Sequence, residues 1–80
     1  MFYVYVLKSS KTTSLYKGQT SNLEIRLKEH NNGKVKSTKA FIPWEIVYSE
    51  TFPDRESAVS REKYFKSGIG RQFLKEILKL

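Results

Sequence analysis

Glu62 stands four residues after Ala58 and three before Phe65. On a helix, that spacing puts a carboxylate inside the apolar stripe of Ala58, Val59 and Phe65, facing a core rather than water. A carboxylate there is costly unless something pairs with it. An i, i+4 ion pair with Lys66 would meet that demand, and so would ligation of a hard metal ion. Arg26 and His30 are also four apart, so they stack on one side of a helix. By angle they border the stripe of Leu23 and Leu27. They read either as a surface pair at a helix C-terminus, where positive charge is favoured, or as a phosphate clamp beside a proton-transfer or hydrogen-bond-organising group. Tyr3 and Tyr5 lie two apart in an extended run and share a face, as do Tyr16 and Gly18. Glycine inside a strand often marks close approach of a ligand or another backbone. Tyrosines also serve simply as β-formers with wet hydroxyls.

These residues need elements to hold them. Phe2 to Leu7 is rich in aromatic and β-branched residues and predicts a strand; Leu15 to Gln19 predicts a second, paired as an antiparallel hairpin. Ser21-Asn22-Leu23-Glu24 fits a capping box, with Ser21 as N-cap of a helix running to about His30. Asn31-Asn32-Gly33 supplies its left-handed stop. A basic loop follows from Lys34 to Pro43. Trp44 to Tyr48 predicts a third strand. Asp54 is the expected N-cap of a second helix ending at Ser67-Gly68. A third helix is expected from near Gly70, its apolar face made by Phe73, Leu74, Ile77 and Leu78. The order β-β-α-β-α-α predicts a small α/β (α+β) domain with a three-stranded, mostly antiparallel sheet packed by helices.

Composition narrows the chemistry. Without cysteine and with one histidine, the chain can build no disulfide scaffold, thiolate metal site or multi-histidine zinc site. Eighty residues predict a single domain, 1–80. No stretch approaches the ~18 apolar residues of a membrane span. The N-terminal run lacks a basic leader and a small-residue cleavage site, so the expected compartment is the cytoplasm. Fifteen Lys and Arg against eight Asp and Glu leave a net charge of +7. That excess points to an anionic partner, nucleic acid first. Lys34, Lys36 and Lys39 in the loop, and Arg71, Lys75 and Lys79 along the last helix, either track a phosphate backbone or form a solvated face.

Taken together in order and spacing, the residues resemble the GIY-YIG nuclease domain. Tyr3-Val4-Tyr5 matches the first motif and Tyr16-Lys17-Gly18 the second, with residues 6–15 between them. Arg26-x-x-x-His30 and Ala58-x-x-x-Glu62-x-x-x-Lys66 follow. Tyr3 replaces the first motif's glycine, Val4 its isoleucine, and Lys17 the isoleucine of the second. Lys17 is expected to point away from Tyr16 and Gly18. The resemblance is to small stand-alone members similar to the nuclease domain of the UvrC excinuclease. It implies a metal-dependent DNA endonuclease with Tyr5, Tyr16, Arg26, His30 and Glu62 as catalytic residues. Glu62 would hold Mg²⁺ or Mn²⁺, and a tyrosine, Tyr5 ahead of Tyr16, would serve as general base. Arg26, the metal and a hydrogen bond from His30 are expected to lower that tyrosine's pKa from ~10. The expected substrate contacts are Tyr3, Gly18, Lys36, Lys39, Lys66, Arg71 and Lys75. With no room for a second domain, selectivity would come from DNA shape, such as a branch or nick, or from a protein partner. A basic binding module without turnover would use the same surface.

Overall fold

A computed structural model describes the whole chain, residues 1–80. Its elements are β1 (Phe2–Ser9), β2 (Leu15–Thr20), α1 (Leu23–Asn31), a single 3₁₀ turn (Lys39–Phe41), β3 (Trp44–Phe52), α2 (Arg55–Lys66) and α3 (Gly68–Leu78). The sheet order is β2-β1-β3 and both pairings are antiparallel. The expected element order holds, and the sheet is antiparallel throughout. No helix is long and apolar enough to cross a membrane.

The central strand β1 explains the layering. Successive side chains point to opposite faces of a strand. Val4 and Val6 pack with Ala58, Phe65 and Leu74 beneath α2 and α3. Tyr5 and Leu7 pack with Trp44 and, more loosely, with Leu23 and Leu27 of α1. A strand buried on both faces must be apolar at nearly every position, and Phe2 to Leu7 reads that way. Strand β3 reaches Phe52, four residues past the expected end. Its register slips opposite Val6 and Leu7: Tyr48 faces Val6, but Ile46 faces Leu7. The bulge at Val47 therefore changes which face the even-numbered residues occupy. Tyr48 and Phe52 pack on the α2/α3 side, whereas Trp44 and Ile46 pack on the α1 side.

Two helix starts differ from expectation. Asn22, not Ser21, caps α1: its Oδ1 accepts from the Ile25 backbone N–H at 3.0 Å. This shift leaves Glu24 in the first turn, where it favours the helix dipole without closing a box. Helix α3 begins at Gly68, two residues early, because Ser67 is its N-cap and accepts from the Gly70 N–H. Asp54 caps α2 as expected, accepting from Ser57 N–H at 2.7 Å. Arg61 of α2 then grips Glu50 of β3 with two hydrogen bonds, 2.8 and 3.1 Å. Its guanidinium also lies over the rings of Tyr64 and Phe65.

Candidate active site

The α1 face of the sheet gathers the tyrosines. Tyr5 is 2% exposed and stands opposite Gly18 across the β1–β2 ladder. A Cβ on Gly18 would lie 2.5 Å from the Tyr5 hydroxyl. The close approach that this glycine permits is therefore by the Tyr5 ring. Tyr16 stands opposite Leu7 on the same face, with its ring centroid 6.5 Å from that of Tyr5. Lys17 points to the other face, toward Leu74 and Arg71, as expected from strand alternation.

His30 does not border the solvent. It is fully buried, and it continues the Leu23–Leu27 stripe at helical spacing. Its Nε2 lies 3.0 Å from the Tyr5 hydroxyl, and its Nδ1 lies 2.8 Å from Thr38 Oγ1. Thr38 Oγ1 donates its only proton to the Val35 carbonyl at 3.3 Å. We therefore assign the imidazole proton to Nδ1, where it donates to Thr38. His30 Nε2 is left as the acceptor of the Tyr5 proton. Thr38 is held in turn by Trp44, whose indole N–H donates to its carbonyl at 2.9 Å. Asn31 at the end of α1 pairs with both backbone groups of Trp44, at 2.7 and 2.9 Å. A chain of hydrogen bonds thus ties α1, the following loop and β3 around one imidazole.

Arg26 reaches the same hydroxyl from α1. Its Nε donates to Tyr5 Oη at 3.4 Å, and its Nη1 meets Glu29 at 3.0 Å. Burial pushes the Tyr5 phenol above its ordinary value; Arg26 opposes this, while Tyr16 and Glu62 add to it. Of the influences expected to lower it, Arg26 acts in that sense here, and burial of the hydroxyl outweighs it. Burial also holds the His30 imidazole below its ordinary value, with Arg26 acting in the same sense and Glu29 opposing. His30 is therefore neutral at pH 7, as an acceptor of the Tyr5 proton must be.

Glu62 arrives from α2. Its side chain is 21% exposed and pairs with Lys66 at 2.7 Å, while Lys66 itself is 55% exposed. The carboxylate is within electrostatic reach of the Tyr5 hydroxyl. No cluster of three His, Asp or Glu side chains could enclose a metal. A single carboxylate suits an ion such as Mg²⁺, which keeps waters and completes its shell with substrate oxygens. The partner ammonium, mostly in water, is free to swing aside.

The remaining expected contacts divide between two faces. Tyr3 is half-buried on the same strand face as Tyr5. Lys36 and Lys39 are exposed on the loop, either side of buried Thr38. Arg71 and Lys75 line the α3 side with Lys17, away from the Tyr5–His30 pair. Sequence reasoning missed Thr38, Glu29, Asn31 and Trp44 as supports of the site. The usable signal was the position of His30, three residues after Leu27, since a buried imidazole needs partners on both nitrogens.

A family model described as the GIY-YIG catalytic domain matches residues 1–72. A UPF0213 protein of Clostridium perfringens is 47% identical over 78 residues, spanning 96% of this chain and 83% of the relative. One from Staphylococcus haemolyticus is 43% identical over 76 residues, spanning 94% and 92%. The solution NMR structure of a UPF0213 protein from Bacillus halodurans superposes with a TM-score of 0.57 at 32% identity, covering 96% of this chain and 85% of that one.

Proposed function

The chain belongs to the GIY-YIG catalytic-domain family, whose members are nucleases that act on DNA with a divalent metal, and from that premise we propose that it is a Mg²⁺-dependent endonuclease. Mn²⁺ would substitute. The observation that carries this reading is the Tyr5–His30 hydrogen bond, made beside Arg26 and within electrostatic reach of Glu62. A phosphodiester is anionic and resists attack by a nucleophile. Arg26 would bind its non-bridging oxygens and stabilise the charge that builds on them. Its pairing with Glu29 keeps the guanidinium oriented until phosphate takes over.

The proton path runs through neutral groups. As water attacks phosphorus, its proton passes to the Tyr5 oxygen while the Tyr5 proton passes to His30 Nε2. Free phenolate is never required, so the raised pKa of Tyr5 is no obstacle. The imidazolium that forms keeps its Nδ1 proton on Thr38. Tyr16, half-buried beside the His30 ring, would orient the scissile phosphate. Glu62 would hold the divalent ion, and that ion, when bound, polarises a phosphoryl oxygen and stabilises the leaving 3′-oxygen. Lys66, which pairs with Glu62 here, would then be free to contact phosphate, alongside Lys36 and Lys39 on the loop. Branched or nicked DNA is the proposed preferred substrate, with a role in repair or recombination and a protein partner adding selectivity.

Nicking of supercoiled plasmid at low salt tests the reading. Wild-type protein should nick with Mg²⁺ or Mn²⁺ and not with EDTA. Glu62→Ala and Tyr5→Phe should each lose that activity while retaining the wild-type circular dichroism spectrum. Nicking that persists unchanged in Glu62→Ala would remove Glu62 from the chemistry and the proposal with it.

A further inference from the structure

The opposite face of the sheet holds a cleft of about 460 Å³ between the β1–β2 pair and α3. Four cations line it: Lys8, Lys17, Arg71 and Lys75. Leu15 and Leu74 contribute apolar wall. The three ion pairs of the molecule engage Arg26, Arg61 and Lys66, so none of these four cations has a carboxylate partner. Lys17 is half-buried among like charges: burial lowers its pKa, and Arg71 and Lys66 add to the effect. Gathering unpaired cations round an apolar wall opposes folding. An anion with an apolar body would relieve both features at once.

The position of the cleft suggests which anion. Lys17 lies between Tyr16 and Gly18 on β2 and points the other way, and β2 is an edge strand. A chain of phosphates passing Tyr16 reaches Lys17 by crossing that edge. The volume falls within the ~300–1,000 Å³ of sites that hold one small ligand. We propose that this cleft seats one nucleotide of the substrate strand outside the bond being cut, with phosphates on Lys17, Arg71 and Lys75 and its sugar and base against Leu15 and Leu74. This rests on the nuclease reading and gives that enzyme a second anchor, on the sheet face opposite Tyr5 and His30.

The test compares wild type with the triple variant Lys17→Gln/Arg71→Gln/Lys75→Gln, whose fold is checked by circular dichroism. Binding of a short fluorescent DNA strand is measured by anisotropy across a salt series. Each phosphate contact contributes about 0.7 to the slope of log affinity against log salt for a single strand. The two phosphates that flank one nucleotide make the expected loss in the triple variant about 1.4 units of slope. An unchanged slope in the triple variant overturns the cleft even if metal-dependent nicking is intact. A lowered slope in a protein that never nicks keeps the cleft and removes the nuclease. Wild-type protein that binds no DNA at low salt ends both. A triple variant that keeps its DNA slope but releases phosphatidylserine vesicles bound by wild type would assign the cleft to lipid and overturn the proposal.

Discussion

The Tyr5 hydroxyl lies between two N-containing side chains, and the direction of one proton decides what it can do. Thr38 fixes that direction by accepting from His30 Nδ1. Thr38→Val keeps the shape and removes the acceptor, leaving a buried N–H unpaired, which costs ~1–3 kcal/mol. The turnover number should fall about a hundredfold, the lower end of what a positioned proton acceptor contributes. KM should hold, and Thr38→Ser should recover most of the loss. Steady-state nicking kinetics separate these outcomes. The same imidazole sets a pH dependence. Its folded pKa is below the unfolded value near 6.5. The unfolded chain therefore takes up the proton first as pH falls. This contribution to stability is present above ~6.5 and is lost as pH drops through the folded value. Activity should follow, with an acid limb below the ordinary imidazole range, because protonated His30 cannot accept from Tyr5. An acid limb at or above 6.5 would show that the imidazole is not held neutral by its pocket. Arg26, His30 and Glu62 were legible from type and spacing. Thr38 was not, since a loop hydroxyl looks the same whether it is wet or holds a buried ring.

At the scale of elements, the boundaries that sequence placed well have local causes. Asp54 and the Gly33 stop act within a few residues, and both appear where expected; Gly33 takes the left-handed conformation at φ +76°. The misplaced features depend on partners distant in sequence. The bulge in β3 is visible only against β1, and the choice of Asn22 over Ser21 reflects Thr20 holding the Asn22 N–H. The corner between α2 and α3 is of the second kind. A Cβ on Gly70 would run into the Tyr64 carbonyl oxygen of α2, whereas one on Gly68 would meet nothing within 4 Å. Ala for Gly in a helix is ordinarily stabilising by ~0.4–1 kcal/mol where the backbone permits it. Gly68→Ala should show that gain. Gly70→Ala should show the opposite sign, at the cost of ~1–3 kcal/mol typical of overpacking, or more because the obstacle is backbone. Urea unfolding of the two variants side by side measures both. Equal effects would mean that the corner opens freely.

In the whole molecule, one strand carries two cores. Val4 and Val6 belong to the core beneath α2 and α3, while Tyr5 and Leu7 belong to the one beneath α1 that holds the Tyr5–His30 pair. Neither core can lose β1 and survive, so the two faces should unfold together. A small domain has only ~5–15 kcal/mol of total stability to share between them. Phe65→Ala, on the sheet face opposite Tyr5 and His30, removes a fully buried ring at a cost of ~3–5 kcal/mol. At ~4–8 °C per kcal/mol for a domain of this size, the melting temperature should fall by roughly 15 °C or more. Trp44 is the reporter that makes this a test of coupling, because it sits in the other core, 6% exposed and tied to Thr38 and Asn31. Its fluorescence transition should move by the same amount as the helical circular dichroism signal. A Trp44 transition that stays put while the helices melt early would mean that the α1 face stands alone. The geometry around His30 would then be independent of the far core. Coincident transitions would mean that any loss of packing under α2 is felt at the Tyr5 hydroxyl, and that variants of the far face must be checked for fold before a loss of nicking is assigned to chemistry.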